Sequence, residues 1–275
     1  MPAASDRALQ DALIQLLADA SFRSALCTAE SSDALGQLAP EHAALLRALS
    51  PDRVRRFARF VARGYYHERV AHFYKYSHAL ALWTARHPAD ALRSPGFDAL
   101  LDRVTLGSRE SARDVASLVD TYLADAPHAP PYAADLRRYE SAQMVIEAGP
   151  RVWRSTTPAP SVAPDTVVAP DPDALVLDFV WDLPSVLPAL RSLHATEPAA
   201  PSPPPAPHTA TQLLFARSPR ARVTVMRWSE QLARLVAVMD GTRELRDVAA
   251  AAGLPAHDVV EIASALADAG AIHIA

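Results

Sequence analysis

The sequence predicts an α+β protein, with an N-terminal all-α helical domain followed by a C-terminal module of three antiparallel strands plus three helices. Three observations carry this. Apolar residues recur at helical spacing from Leu9 to about Ala148. A stretch rich in Pro, Thr, Ala and Val, residues 156–173, then interrupts that pattern as a linker does. Beyond it, short β-type runs and a hairpin signal precede a second set of helices. The expected units are a helical domain over 1–155, a linker over 156–173 and a second domain over 174–275.

In order along the chain, Leu9, Leu13, Leu16 and Leu17 define a first helix after Ser5-Asp6, whose side chains suit an N-cap. A second covers about Pro40 to Leu49. Ser50-Pro51-Asp52 is a helix start: a cap, a proline in the first turn and an acid for the helix dipole. Val54, Phe57, Val61 and Tyr65 follow at spacings of three and four, with Gly64 expected to end or bend the helix. The aromatic stretch from Tyr65 to His87 reads as a central, buried helix, broken by Pro88 and Pro95-Gly96. Phe97, Leu100, Leu101 and Val104 form a short helix. Ser108 caps another, with Val115, Leu118, Val119 and Tyr122 inward. A last helix of this half runs from about Pro131 to Ala148 and stops at Gly149-Pro150.

The second half uses a different grammar. Ala174 to Trp181 reads as a strand, and Thr196 to His208 as a proline-dense loop. Gln212–Arg217 and Arg222–Arg227 flank the turn Ser218-Pro219-Arg220 as a hairpin. Ser229 caps a helix with Leu232, Leu235, Val236 and Met239. Leu245, Val248 and Ala249 mark a second, and Gly253-Leu254-Pro255 leads to a third with Val259, Ile262, Ala263 and Leu266. Gly270 stops that helix, and Ala271 to Ile274 ends the chain as a strand. Three strands followed by three helices, the last two joined by a tight turn, is a winged-helix-like arrangement.

Composition narrows the function classes. Half of the 275 residues are hydrophobic, which excludes global disorder. The net charge of −4 gives no bulk attraction to nucleic acid or an anionic membrane. Cys27 is the only cysteine, so neither an intrachain disulfide nor a thiolate metal cluster is possible. The start lacks the basic-then-apolar layout of a signal peptide, and no uncharged apolar run approaches the roughly 20 residues of a membrane span. A cytoplasmic location is expected.

No catalytic centre is legible. His67-Glu68 with His72 resembles a zinc-protease pattern, but the second histidine is one residue late, which turns the imidazoles about 140° apart on a helix. Asp178 and Asp182 could share a strand face, though a solvated strand end explains them equally. Glycine-rich phosphate loops and nucleophile elbows are missing. The runner-up to a non-catalytic role is a winged-helix DNA-binding transcriptional regulator. Against it, the last helix carries Asp258, Glu261 and Asp268 and no arginine or lysine. An arginine-rich helix lies elsewhere: Arg56, Arg59 and Arg63 share one face, either solvated or a docking face for an acidic partner.

The course Leu235-Val236-Ala237-Val238-Met239-Asp240-Gly241-Thr242-Arg243-Glu244-Leu245-Arg246-Asp247-Val248-Ala249, followed by Leu266-Ala267-Asp268-Ala269-Gly270-Ala271-Ile272, resembles the winged-helix peptide-binding modules known as RiPP recognition elements. With a helical N-terminal region and an aromatic helix before it, the whole layout is similar to the partner subunits of multinuclear non-heme iron oxidative enzymes that modify ribosomally made peptides. The resemblance implies a heterodimer in which this chain holds no cofactor and the iron belongs to the partner enzyme. It implies that the leader of a precursor peptide adds as a strand to the sheet edge. Projected here, that edge is Arg222, Val223, Thr224, Val225, Met226 and Arg227, with Val259, Val260 and Ala263 lining the facing helix. Arg222 and Arg227 would attract an acidic leader, and Arg56, Arg59 and Arg63 would serve docking.

Overall fold

The computed structural model describes residues 4–27, 38–149, 161–193 and 202–275. The N-terminal half is helical: α1 (Ala4–Ala18), α2 (Ala20–Cys27), α3 (Pro40–Arg47), α4 (Pro51–Phe73), α5 (Lys75–Thr84), a 3-10 helix (Pro88–Arg93), α6 (Pro95–Leu100), α7 (Arg109–Ala124) and α8 (Ala133–Glu147). Its starts follow the local chemistry. Ser94 and Ser108 accept from the Phe97 and Ser111 amides, and Pro51 and Pro95 occupy first turns. α1 begins ahead of the Ser5-Asp6 cap that the sequence suggests.

α4 differs from its expected form in three ways. It runs straight through Gly64, where nothing crowds the backbone and neighbouring turns keep their hydrogen bonds. Its buried row is Ala58, Ala62, Tyr66, Val70 and Phe73, not the row through Phe57, which stands exposed. Small side chains at Ala58 and Ala62 let α4 approach α1 and the 3-10 helix closely, and that packing outweighs the larger apolar area of Phe57. The aromatic stretch is also two helices rather than one. The chain breaks at Tyr74 and restarts at Lys75 because Glu140 of α8 reaches across and accepts from the Tyr76 and Ser77 amides at 2.8 and 3.1 Å. Those are free donors of the first turn of α5, so the cap comes from a residue distant in sequence.

The C-terminal half contains β1 (Val168–Pro170), β2 (Leu175–Phe179), α9 (Leu183–Leu193), β3 (Thr211–Arg217), β4 (Val223–Arg227), α10 (Glu230–Ala237), α11 (Leu245–Ala252), α12 (Ala256–Ala269) and β5 (Ile272–Ile274). β2, β3 and β4 form the antiparallel sheet in that order, Leu175 opposite Phe215 and Phe215 opposite Val225. In the hairpin turn, Ala221 takes a left-handed conformation while the Ser218 amide donates to the Arg222 carbonyl at 2.8 Å. α10 to α12 follow as three helices. Two elements were not expected. The stretch read as linker carries β1, which pairs with β5, and Leu245 and Arg246 donate to the Thr166 and Pro164 carbonyls, so residues 164–170 wrap the start of α11. α9 follows the turn after β2.

β3 is the centre of the molecule. Leu213 and Phe215 face the helical half, against Tyr139, Leu136, Phe179, Leu183 and Leu190. Leu214 and Ala216 face the other way, against Leu235, Leu245, Val248, Val259, Ala263 and Leu266. A strand buried on both faces has no reason to alternate polar and apolar residues, hence the continuous run Leu213-Leu214-Phe215-Ala216. α8 is the central helix, packed against α4, α5, α7 and all three strands of the sheet. Asp135 anchors it there, one buried carboxylate oxygen accepting from the Val180 and Trp181 amides at 2.7 and 3.0 Å.

Candidate functional site

β4 has β3 on one side and no strand on the other among the described residues. The ladder's phase fixes which backbone groups are free. Ser218 donates to the Arg222 carbonyl and Trp228 to the Gln212 carbonyl, so Arg222, Thr224, Met226 and Trp228 turn their polar groups toward β3. The amides and carbonyls of Val223, Val225 and Arg227 therefore point out of the sheet. That is a row of unpaired donors and acceptors able to accept another strand.

A cleft of about 280 Å³ runs beside this edge, lined by Tyr139, Leu187, Arg191, Leu213, Val225 and Arg227 among others. Apolar side chains and the two arginines share its lining. Burial pushes the Tyr139 phenol above its ordinary pKa, so it remains a neutral donor. Arg191 donates to the Tyr76 hydroxyl at 3.2 Å, and Arg227 pairs with Asp182 at 2.7 Å. Asp182 thus belongs to the turn after β2, not to a shared face with Asp178, which accepts from Gln212 across the sheet at 2.7 Å.

The expected residues separate into groups. Val223, Thr224, Val225 and Met226 are half-buried along the edge, and Arg222 and Arg227 are exposed at its two ends. Val223 and Val225 lean toward the helical half, while Met226 packs toward α10 to α12. Of the three helix residues, only Val260 is partly open. Val259 and Ala263 are fully buried in the core, so they support α12 and line no open groove. What the sequence reading missed is the other wall of the cleft, Tyr139 of α8 and Leu187 and Arg191 of α9. The signal existed: Leu183, Val186, Leu187 and Leu190 keep helical spacing and are buried. Pro184 and Pro188 disguised it.

The arginine face of α4 is largely neutralised from within. Asp102 accepts from Arg55 and from Arg59, the latter at 2.8 Å, and Asp98 pairs with Arg63. The Arg55 and Arg59 guanidiniums hold the Asp102 carboxyl below its usual range. Arg59 and Arg63 are therefore bound to α6 and the turn after it, and only Arg56 of the expected trio extends into solvent without a carboxylate beside it among the described residues. His67, Glu68 and His72 are exposed on α4. No group of three or more His, Cys, Asp or Glu side chains is placed to hold a metal ion among the described residues, and no helix there is long and apolar enough to cross a membrane. Compared with known proteins, the chain matches no family model and no curated protein.

Proposed function

We propose that this chain is a non-catalytic, cytoplasmic partner protein that binds the leader of a ribosomally made precursor peptide and presents it to a separate multinuclear non-heme iron oxidative enzyme. The observation that carries the reading is the open edge of β4 beside a cleft lined by apolar side chains and two arginines. An extended peptide laid against Val223–Arg227 would satisfy their outward backbone groups, and every second side chain would turn toward Leu187 and Tyr139. Backbone bonds would supply affinity, and the cleft would set the register. Arg222 offers a carboxylate partner at one end of the edge. Arg227 offers another by sharing its charge with Asp182. Bringing the peptide to the enzyme in this way raises its local concentration at the reacting centre.

The test is co-purification from the native cytoplasm followed by binding of the recovered peptide to Val225→Pro. The Val225 amide points away from β3, so proline there removes an outward donor and leaves the β3–β4 ladder intact. Affinity should fall at least ~10-fold, equivalent to about 1.4 kcal/mol, in a chain of unchanged helical content. A well-folded Val225→Pro chain that binds as tightly as the parent would overturn the edge assignment. Recovery of DNA would favour the regulator reading, and turnover by the isolated chain an enzyme.

A further inference from the structure

On the exposed side of α4, Phe57 and Phe60 stand 54% and 71% exposed, large apolar side chains set on a helix whose buried face points elsewhere. Their rings lie nearly parallel, 13° apart with centroids at 6.3 Å, so they form one aromatic knob. Arg53 and Arg56 flank it on the same exposed side, and neither pairs with a carboxylate among the described residues. Their neighbours differ. Arg55, Arg59 and Arg63 are held by Asp98 and Asp102. Gly64 continues the stripe toward His67 with open space above its Cα, so no side chain there obstructs approach.

We infer that the Phe57–Phe60 knob with Arg53 and Arg56 is the docking surface for a folded protein presenting an apolar pocket rimmed by carboxylates. Exposed aromatic pairs beside arginines have the composition of interface hot spots, where rings fill a pocket and charges at its rim select the partner. Charge complementarity names the rim: two unneutralised cations beside the rings call for acids opposite them. The internal pairing of the other three arginines argues against a polyanion such as nucleic acid, which needs a run of free cations. In the adaptor reading this partner is the iron enzyme, so identifying it rests on that reading, while the surface itself does not. The patch lies on a different element from β4.

The test replaces Phe60 in the full chain with a photo-crosslinking phenylalanine analogue, irradiates in the native cytoplasm and identifies the product by mass spectrometry. Leu82, exposed on α5, carries the same analogue as the background control. The captured protein is then purified and its binding to the parent chain measured. Phe60→Ala should weaken it at least ~10-fold, and Arg53→Glu with Arg56→Glu should slow association and reverse its salt dependence, because added salt then screens a repulsion instead of an attraction. A partner that binds these variants as well as the parent overturns the proposal. So does crosslinking only to a second copy of this chain, to lipid or to RNA. Capture of an iron protein at Phe60 supports both readings. A different protein, passing the same variant tests, keeps the docking surface and removes the iron enzyme from it. An iron enzyme that binds the chain independently of Phe60, Arg53 and Arg56 keeps the adaptor and removes this surface.

Discussion

The two faces of β3 are buried to a similar degree but are held by different chemistry. Toward the helical half, Leu213 and Phe215 meet aromatic rings, with Phe215 edge-on to Tyr139 at 5.5 Å. Behind those rings, α8 carries buried carboxyl groups at Asp135 and Glu140, each bonded to backbone amides outside its own helix. Toward α10 to α12, Leu214 and Ala216 meet mainly Leu, Val, Ile, Met and Ala side chains, and no acidic residue of those three helices is buried among the described residues. The difference teaches that one side obtains its geometry from directional bonds and the other from shape and volume. Directional bonds to buried groups are costly to leave unmade, so they fix one arrangement of α5, α8 and the sheet. An aliphatic layer tolerates small repacking.

Breaking each side should separate the two mechanisms. Glu140→Ala leaves the Tyr76 and Ser77 amides and the Ser77 hydroxyl without a partner, and is expected to lose about 3 kcal/mol or more in urea unfolding. Complete burial also pushes the Glu140 carboxyl up from its ordinary 4.5 to about 8, against the pull of its three donors. The folded chain therefore holds this proton more tightly than the unfolded chain. Its contribution is full below about 4.5 and is lost as the pH rises through about 8. The urea midpoint should fall over that window in the parent chain and stay flatter in Glu140→Gln. Leu214→Ala on the opposite face should cost about 2–4 kcal/mol through the cavity it leaves, and should do so without altering the pH profile. A Leu214→Ala loss that itself changed between about pH 4.5 and about pH 8 would erase the contrast.

Gly270 probes where the aliphatic side is tightest. It ends α12 in a left-handed conformation, and an added Cβ would overlap the Arg217 carbonyl at the end of β3. Gly270→Ala should cost about 2–3 kcal/mol by thermal unfolding, from strain and displaced backbone together. Gly64 sits at the other extreme, in mid-helix with open space around it. Gly64→Ala should stabilise by about 0.5–1 kcal/mol, because alanine loses less backbone entropy on entering a helix. Any loss at that position would mean the exposed stripe of α4 is less open than its geometry shows.

Elements whose cause lies within a few residues were legible in the sequence. Ser108 and Ser229 cap their helices, Gly270 ends α12, and Ser218-Pro219-Arg220 makes the hairpin that leaves β4 at the sheet edge. Caps, left-handed turns and period are local properties, so the strands-then-helices order could be read directly. What the tertiary structure decided involves partners far apart in the chain. Glu140 splits the aromatic stretch at Tyr74, Asp98 and Asp102 consume the charge of Arg59 and Arg63, and α9 supplies the second wall of the cleft. Apolar periodicity could not tell that Val259 and Ala263 turn wholly into the core while Phe57 turns out of it. Hydrophobic attraction has no direction, and only close packing against particular neighbours chooses which of two apolar rows on a helix is buried.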